Sequence, residues 1–226
     1  MEKLFHKMLD WSEVWAPLIP LAFIIVRKNK PAYLRPVWIF VYSSFVLNIC
    51  IILIWRFKIK WGLHEGDFLW SNNFIYNLLS MIRLLLFAWF FNLLGQRFMH
   101  RVKAMIPFAF LLFVLINFVF FEDFFYQQSF SSRLLSTEAA LLLFYCLQYF
   151  IFLVLEDKAT GLIRQKGFWV VSGLSIYVAV NFFIFLFYEY LSYAFQDFAI
   201  SIWDIHNIVF ILLCICIAKQ FSLKNE

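Results

Sequence analysis

The chain alternates long apolar runs with short polar clusters, and seven of the runs approach the ~20 residues that carry a helix across roughly 30 Å of hydrocarbon. They predict membrane spans at residues 11–26, 36–55, 68–91, 104–121, 134–155, 167–188 and 199–218. The first is the shortest, and Glu13, Pro17 and Pro20 interrupt it. Behind it stands Arg27-Lys28-Asn29-Lys30, a cationic anchor with no small-residue cleavage site, so the run reads as a retained helix and not as a signal peptide. Connections are short, about nine to twelve residues, and none has the length of a folded soluble domain. The expected fold is all-α: a polytopic membrane protein with a single integral domain over residues 1–226, built as a seven-transmembrane-helix bundle.

Charge adds an orientation. Twelve Lys and Arg, among them Arg27, Lys28, Arg97, Lys103, Lys158, Arg164, Lys219 and Lys224, gather on one side of these spans, against six on the other: Lys3, Lys7, Arg56, Lys58, Lys60 and Arg133. Excess cationic loops stay in the cytoplasm, which predicts the N-terminus outside and the C-terminus cytoplasmic. Carboxylates lean the opposite way, with Glu2, Glu65, Asp67, Glu122, Asp123, Glu189 and Asp197 making the outer face acidic.

Composition changes the picture in two respects. At 64% hydrophobic, 15% charged and a mean hydropathy of +0.82, the chain lies far from the roughly 25% charge of a soluble domain, so its solvent is the lipid bilayer. The formal charge of +5 is then an orientation signal, and no nucleic-acid partner is expected. With 32 Phe against 6 Gly, helix packing has to rest on bulky aromatics in place of close glycine contacts.

Polar groups left inside the spans are the candidate chemistry, because hydrocarbon makes them expensive. Three are charged: Arg83, Glu138 and Asp204. At about 100° per residue, Asn73, Tyr76, Asn77, Ser80 and Arg83 share one stripe of the third span. Glu138, Tyr145, Gln148 and Tyr149 share a face of the fifth, while Asp204 and Asn207 line the seventh with Ser201. Asn181 enters from the sixth span and Asn48 from the second. The expected ligand-binding set is therefore Asp204, Asn207, Glu138, Arg83, Asn73, Asn77, Tyr145, Gln148 and Asn181, gathered in an outward-facing polar pocket. Arg83 is expected to snorkel or to pair with Gln148 and a tyrosine hydroxyl. His206, about 160° from Asp204 on its helix, is expected to turn toward a neighbouring helix or the interface as a packing residue. The same side chains also suit plain interhelical hydrogen bonding, and that alternative stays open.

Catalytic patterns are sparse. No HExxH pair or GxSxG elbow occurs, the last span has no lysine for a retinal, and four histidines stand on separate segments. Cys50, Cys146, Cys214 and Cys216 fall within spans as buried thiols. No metal, cofactor or catalytic residue is expected. A transporter reading suits seven helices with intramembrane polar groups, although no internal repeat shows and the prolines well inside a span are placed in the first. A lipid-modifying enzyme comes third.

A receptor or sensor fits more of the pattern. Acidic, aromatic rims at residues 121–126 and 188–193 suit a cationic or amphipathic small molecule, or a lipid, held by carboxylates and cation–π contacts. The stretch Trp203-Asp204-Ile205-His206-Asn207-Ile208, followed by an apolar run, resembles the closing span of small seven-helix membrane modules that accompany bacterial sensor histidine kinases. The resemblance implies a sensory or accessory protein of the bacterial inner membrane. The chain shows no kinase domain of its own, and the segment after the last span is short, so it would act through a protein partner such as a signalling kinase.

Overall fold

The computed structural model describes residues 2–27, 30–67, 69–96, 98–127, 129–156 and 161–223. Of the charges used above, Lys28, Arg97, Lys158 and Lys224 lie outside the described residues. So do the side chains of Glu2, Lys3, Glu189 and Asp197, with those of Ser192 and Tyr193 from the second aromatic rim.

Among the described residues every regular element is helical. An N-terminal group comes first: α1 (Glu2–Asp10), α2 (Ser12–Trp15) and α3 (Leu18–Val26). Then follow α4 (Arg35–Phe57), α5 (Asn73–Leu93), α6 (His100–Phe120), α7 (Ser132–Leu155), α8 (Phe168–Ala194) and α9 (Gln196–Ser222). These last six are long and apolar enough to cross a membrane, as a polytopic helical membrane protein requires. The first predicted run, 11–26, is different: its apolar part, Ser12–Val26, is shorter and broken in two.

Pro17 causes the break. A proline within a helix cannot donate to the carbonyl four residues back, and its ring crowds that carbonyl. The carbonyl concerned belongs to Glu13, and Asn48 of α4 reaches across to donate to it from Nδ2 at 3.0 Å. A second proline repeats the device. Pro107 lies inside α6, because that helix starts at His100 and not at residue 104, so the sequence-based restriction of interior prolines to the first span is corrected. Pro107 unhooks the carbonyl of Lys103, and the Tyr145 hydroxyl of α7 donates to it at 2.6 Å.

The loops sort into two ends. Glu65, Asp67, Glu122 and Asp123 mark an acidic end, where Gln127 joins the 58–72 and 121–131 loops by donating to the Asp67 carbonyl at 3.0 Å and accepting from the Gly66 amide at 3.2 Å. At the basic end Arg27 donates to the Phe221 carbonyl at 2.8 Å, tying the exit of α3 to the end of α9. A single residue, Phe195, separates α8 from α9, so the two return antiparallel. Their backbones meet closely at Gly173: a Cβ there would lie 2.6 Å from the Cβ of Cys216, so no larger residue fits without a shift. Elsewhere rings fill the interior, running from Phe40 against Phe87 (centroids 5.0 Å apart) to Phe91 stacked on Tyr145 at 5.1 Å.

Candidate functional site

Toward the acidic end, polar side chains from five helices meet around two carboxylates. The first is Glu138 of α7, which is 1% exposed. Arg83 of α5 grips it side-on with two parallel N–H groups of its guanidinium, Nε to Oε1 at 2.5 Å and Nη2 to Oε2 at 2.6 Å. Ser80, one turn earlier on the same face of α5, donates to Oε2 at 2.7 Å. Arg83 also donates from Nη1 to the Tyr177 hydroxyl at 2.6 Å, and the Tyr177 ring stands 5.2 Å from the guanidinium carbon.

Arg83 therefore pairs with Glu138 and a tyrosine hydroxyl, and not with Gln148. Counted along their helices, Arg83 lies about 15 Å and Glu138 about 9 Å from the N-terminal ends of α5 and α7. Helical side chains lean toward their own N-terminus, so the long arm of Arg83 closes that gap. Gln148 lies about 15 Å further along α7 than Glu138. It donates to the Met99 sulfur at 3.1 Å, near the basic end. Tyr145, on the same face, closes the Lys103 carbonyl described above. The expected face of α7 is thus one stripe serving two places, and Tyr145 and Gln148 leave the candidate site.

The second carboxylate is Glu13 of α2, with a side chain 15% exposed. His206 Nε2 approaches its Oε1 at 3.4 Å, and the Tyr76 hydroxyl donates to Oε2 at 3.2 Å. On the far side of the imidazole, Nδ1 meets the Asn181 side-chain oxygen at 2.6 Å. Asn181 donates its own Nδ2 to the Tyr177 carbonyl at 2.8 Å, so its oxygen is the acceptor and Nδ1 carries a hydrogen. Aromatic rings box the imidazole: Trp203 stacks on it at 4.8 Å, with Phe185 at 5.6 Å and Tyr177 at 5.7 Å.

His206 is accordingly the buried ring at the centre, while Asp204, largely buried at 16% exposed, pairs with the half-exposed His6 of α1 at 2.9 Å. Asp204 and Asn207 both turn from solvent but do not share a partner. Asn207 is fully buried, and neither atom of its amide has a hydrogen-bond partner among the described residues. Asn73 and Asn77 serve the loop after α6. Asn73 donates to the Gln127 carbonyl at 3.0 Å, and Asn77 donates to the Phe124 carbonyl at 3.2 Å while accepting from the Ser131 amide at 3.0 Å.

Beside Glu13 lies a small cavity bordered also by Tyr76, Arg83, Tyr177, Trp203 and His206, with Glu138 held behind Arg83 and outside the lining. The space open to the centre of a water-sized sphere is about 20 Å³, room for roughly one or two waters and not for an organic molecule while Glu13 is in place. Three residues here are absent from the expected ligand-binding set: Glu13, which interrupts the first run, Tyr177, and His206. The signal for Glu13 was the proline four residues downstream, which frees its carbonyl and forces a partner. The 121–126 rim lines a separate depression of about 380 Å³ with Ser129, Phe130, Ser131 and Ser132. No protein-family model, curated protein or solved structure matches the chain.

Proposed function

We propose that this chain is a sensory or accessory protein of the bacterial inner membrane, which reads an outer-face stimulus and passes it to a protein partner such as a sensor histidine kinase. In this reading the acidic end and the N-terminus face outward, and Ser12–Val26 supplies a seventh, broken crossing. The observation that carries it is the meeting of Glu13, Tyr76, Arg83 and His206 around one small cavity near the acidic end, with Glu138 paired to Arg83 and Asn181 to His206 behind them. Buried charges at such cost are the mark of a functional site in a membrane bundle. The N-terminal segment supports the reading too. It is short and broken, and it lays one carboxylate into the bundle from a helix of four residues, which suits an element that changes position.

The test is native mass spectrometry of the protein gently extracted from its own membrane, with cross-linking before extraction. A stoichiometric protein partner is the expected result. Absence of any cross-linked partner, together with solute uptake into sealed vesicles holding the purified chain, would replace this reading with transport.

A further inference from the structure

We infer that the outer site is a carboxylate receptor, and that Glu13 is its built-in occupant, displaced when an external carboxylate arrives. This rests on the reading of the cluster as the ligand site of a sensory protein, and it names the ligand's chemistry.

The two carboxylates of the cluster are held very differently. Glu138 receives three short hydrogen bonds and belongs to the fixed frame. Glu13 receives one contact on each oxygen, at 3.4 and 3.2 Å, longer than the ~2.7–2.9 Å of well-made charge-assisted bonds. Its surroundings are also incompletely satisfied. Ser12 is fully buried beside it, and Ser12 Oγ and Asn48 Oδ1 have no hydrogen-bond partner among the described residues. A buried polar atom without a partner keeps the cost of leaving water and gains nothing for it, so the place α2 occupies is an unfavourable one.

The donors facing Glu13 form a set for a carboxylate in general. His206 Nε2 and the Tyr76 hydroxyl each address one oxygen, and Arg83 keeps one N–H on each of Nη1 and Nη2 beyond those used by Tyr177 and Glu138. An external carboxylate brings the same charge and the same two acceptors as the side chain it replaces, so the site's charge balance is unchanged. A cation would instead face Arg83 and His206. Glu13 leaving with α2 frees the volume of its side chain beside the cavity, against a wall of Trp203, Phe185 and Phe210 that suits an apolar tail. A soluble carboxylate and the headgroup of a fatty acid share this chemistry, and the probes separate them.

The experiment uses the full chain in nanodiscs, with acetate as the soluble probe, octanoate as the fatty-acid probe, and sodium chloride and octanol as controls. In the Glu13→Ala variant the site is emptied, and acetate or octanoate is expected to raise the thermal midpoint relative to equal sodium chloride. Glu13→Gln, which keeps the site filled, is expected to show no such rise. Response to acetate assigns a soluble ligand, and response to octanoate alone assigns a fatty acid. In a second variant Ser12→Cys reports release of α2, with labelling by a water-soluble maleimide expected to accelerate on the order of tenfold with the active carboxylate and not with octanol. A folded Glu13→Ala chain that ignores both carboxylates overturns the inference; if that variant does not fold, unchanged labelling at Ser12→Cys overturns it. A chain that ignores carboxylates yet retains a stoichiometric partner refutes this inference and keeps the sensory reading, whereas a carboxylate response without any partner refutes that reading.

Discussion

Glu13 borders the small cavity directly and Glu138 stands behind Arg83, which borders it too, and the protein treats the two carboxylates in opposite ways. Glu138 sits on a membrane-length helix and is locked by Arg83 and Ser80. Glu13 arrives on a broken four-residue helix, remains part-exposed and is held at ion-pair distance. The contrast teaches that burial alone does not make a charge structural. What separates frame from moving part is how many donors each carboxylate commands, and whether the helix carrying it can leave without unmaking the bundle.

The largest effect is expected on the locked side. Glu138→Ala leaves the Arg83 guanidinium buried without a counter-charge, a loss of about 3–5 kcal/mol. It should appear as a collapse of the thermal midpoint and a loss of the monodisperse peak in gel filtration. Replacing both partners, Arg83→Met with Glu138→Leu, should recover most of that stability, because a buried pair also costs desolvation that an apolar pair does not. Failure of the double variant would mean that Ser80 and Tyr177 depend on the pair more than its burial accounts for.

Tyr177→Phe comes next and addresses the bridge between the two sides. It removes the hydroxyl that accepts from Arg83 but keeps the ring between Arg83 and His206, at an expected cost of about 1–2 kcal/mol in thermal or denaturant unfolding. On the Glu13 side, Asn48→Ala should cost about 1 kcal/mol by reopening the Glu13 carbonyl, and it should speed labelling at Ser12→Cys. If Asn48→Ala were to match Glu138→Ala in severity, the division into frame and moving part would be wrong. The smallest effect belongs to Asp204→Asn, whose partner His6 is half-exposed, at about 0–1 kcal/mol and diminishing with added salt.

How much of this the sequence disclosed follows from what each signal measures. Apolar run length depends only on hydrocarbon thickness, so six long helices were legible to within a few residues, while proline punctuation made the first run ambiguous in the sequence and broken in the structure. The cost of charge in lipid singled out Arg83 and Glu138 without needing a neighbour. Helical phase needs a reference direction, and taking Asp204 as the inward one turned His206 away from the centre it occupies. Phase also says nothing about depth, which is why Tyr145 and Gln148 shared a face with Glu138 but not a place. Glu13 was hidden because its role comes from Asn48, Tyr76 and His206, three residues far away in the chain that only the packed helices bring to it.

The paired use of Pro107 and Tyr145 has a consequence for biogenesis. Before α7 packs against it, α6 carries near its start one backbone carbonyl, that of Lys103, which its own helix cannot close. That open group is silenced when Tyr145 of the next helix arrives, so lateral assembly of the two completes a bond that insertion alone leaves unmade. Pro17 does the same between α2 and α4 through Asn48. Each proline thus acts as an assembly checkpoint, in which a correctly docked neighbour is what makes a newly inserted helix chemically complete.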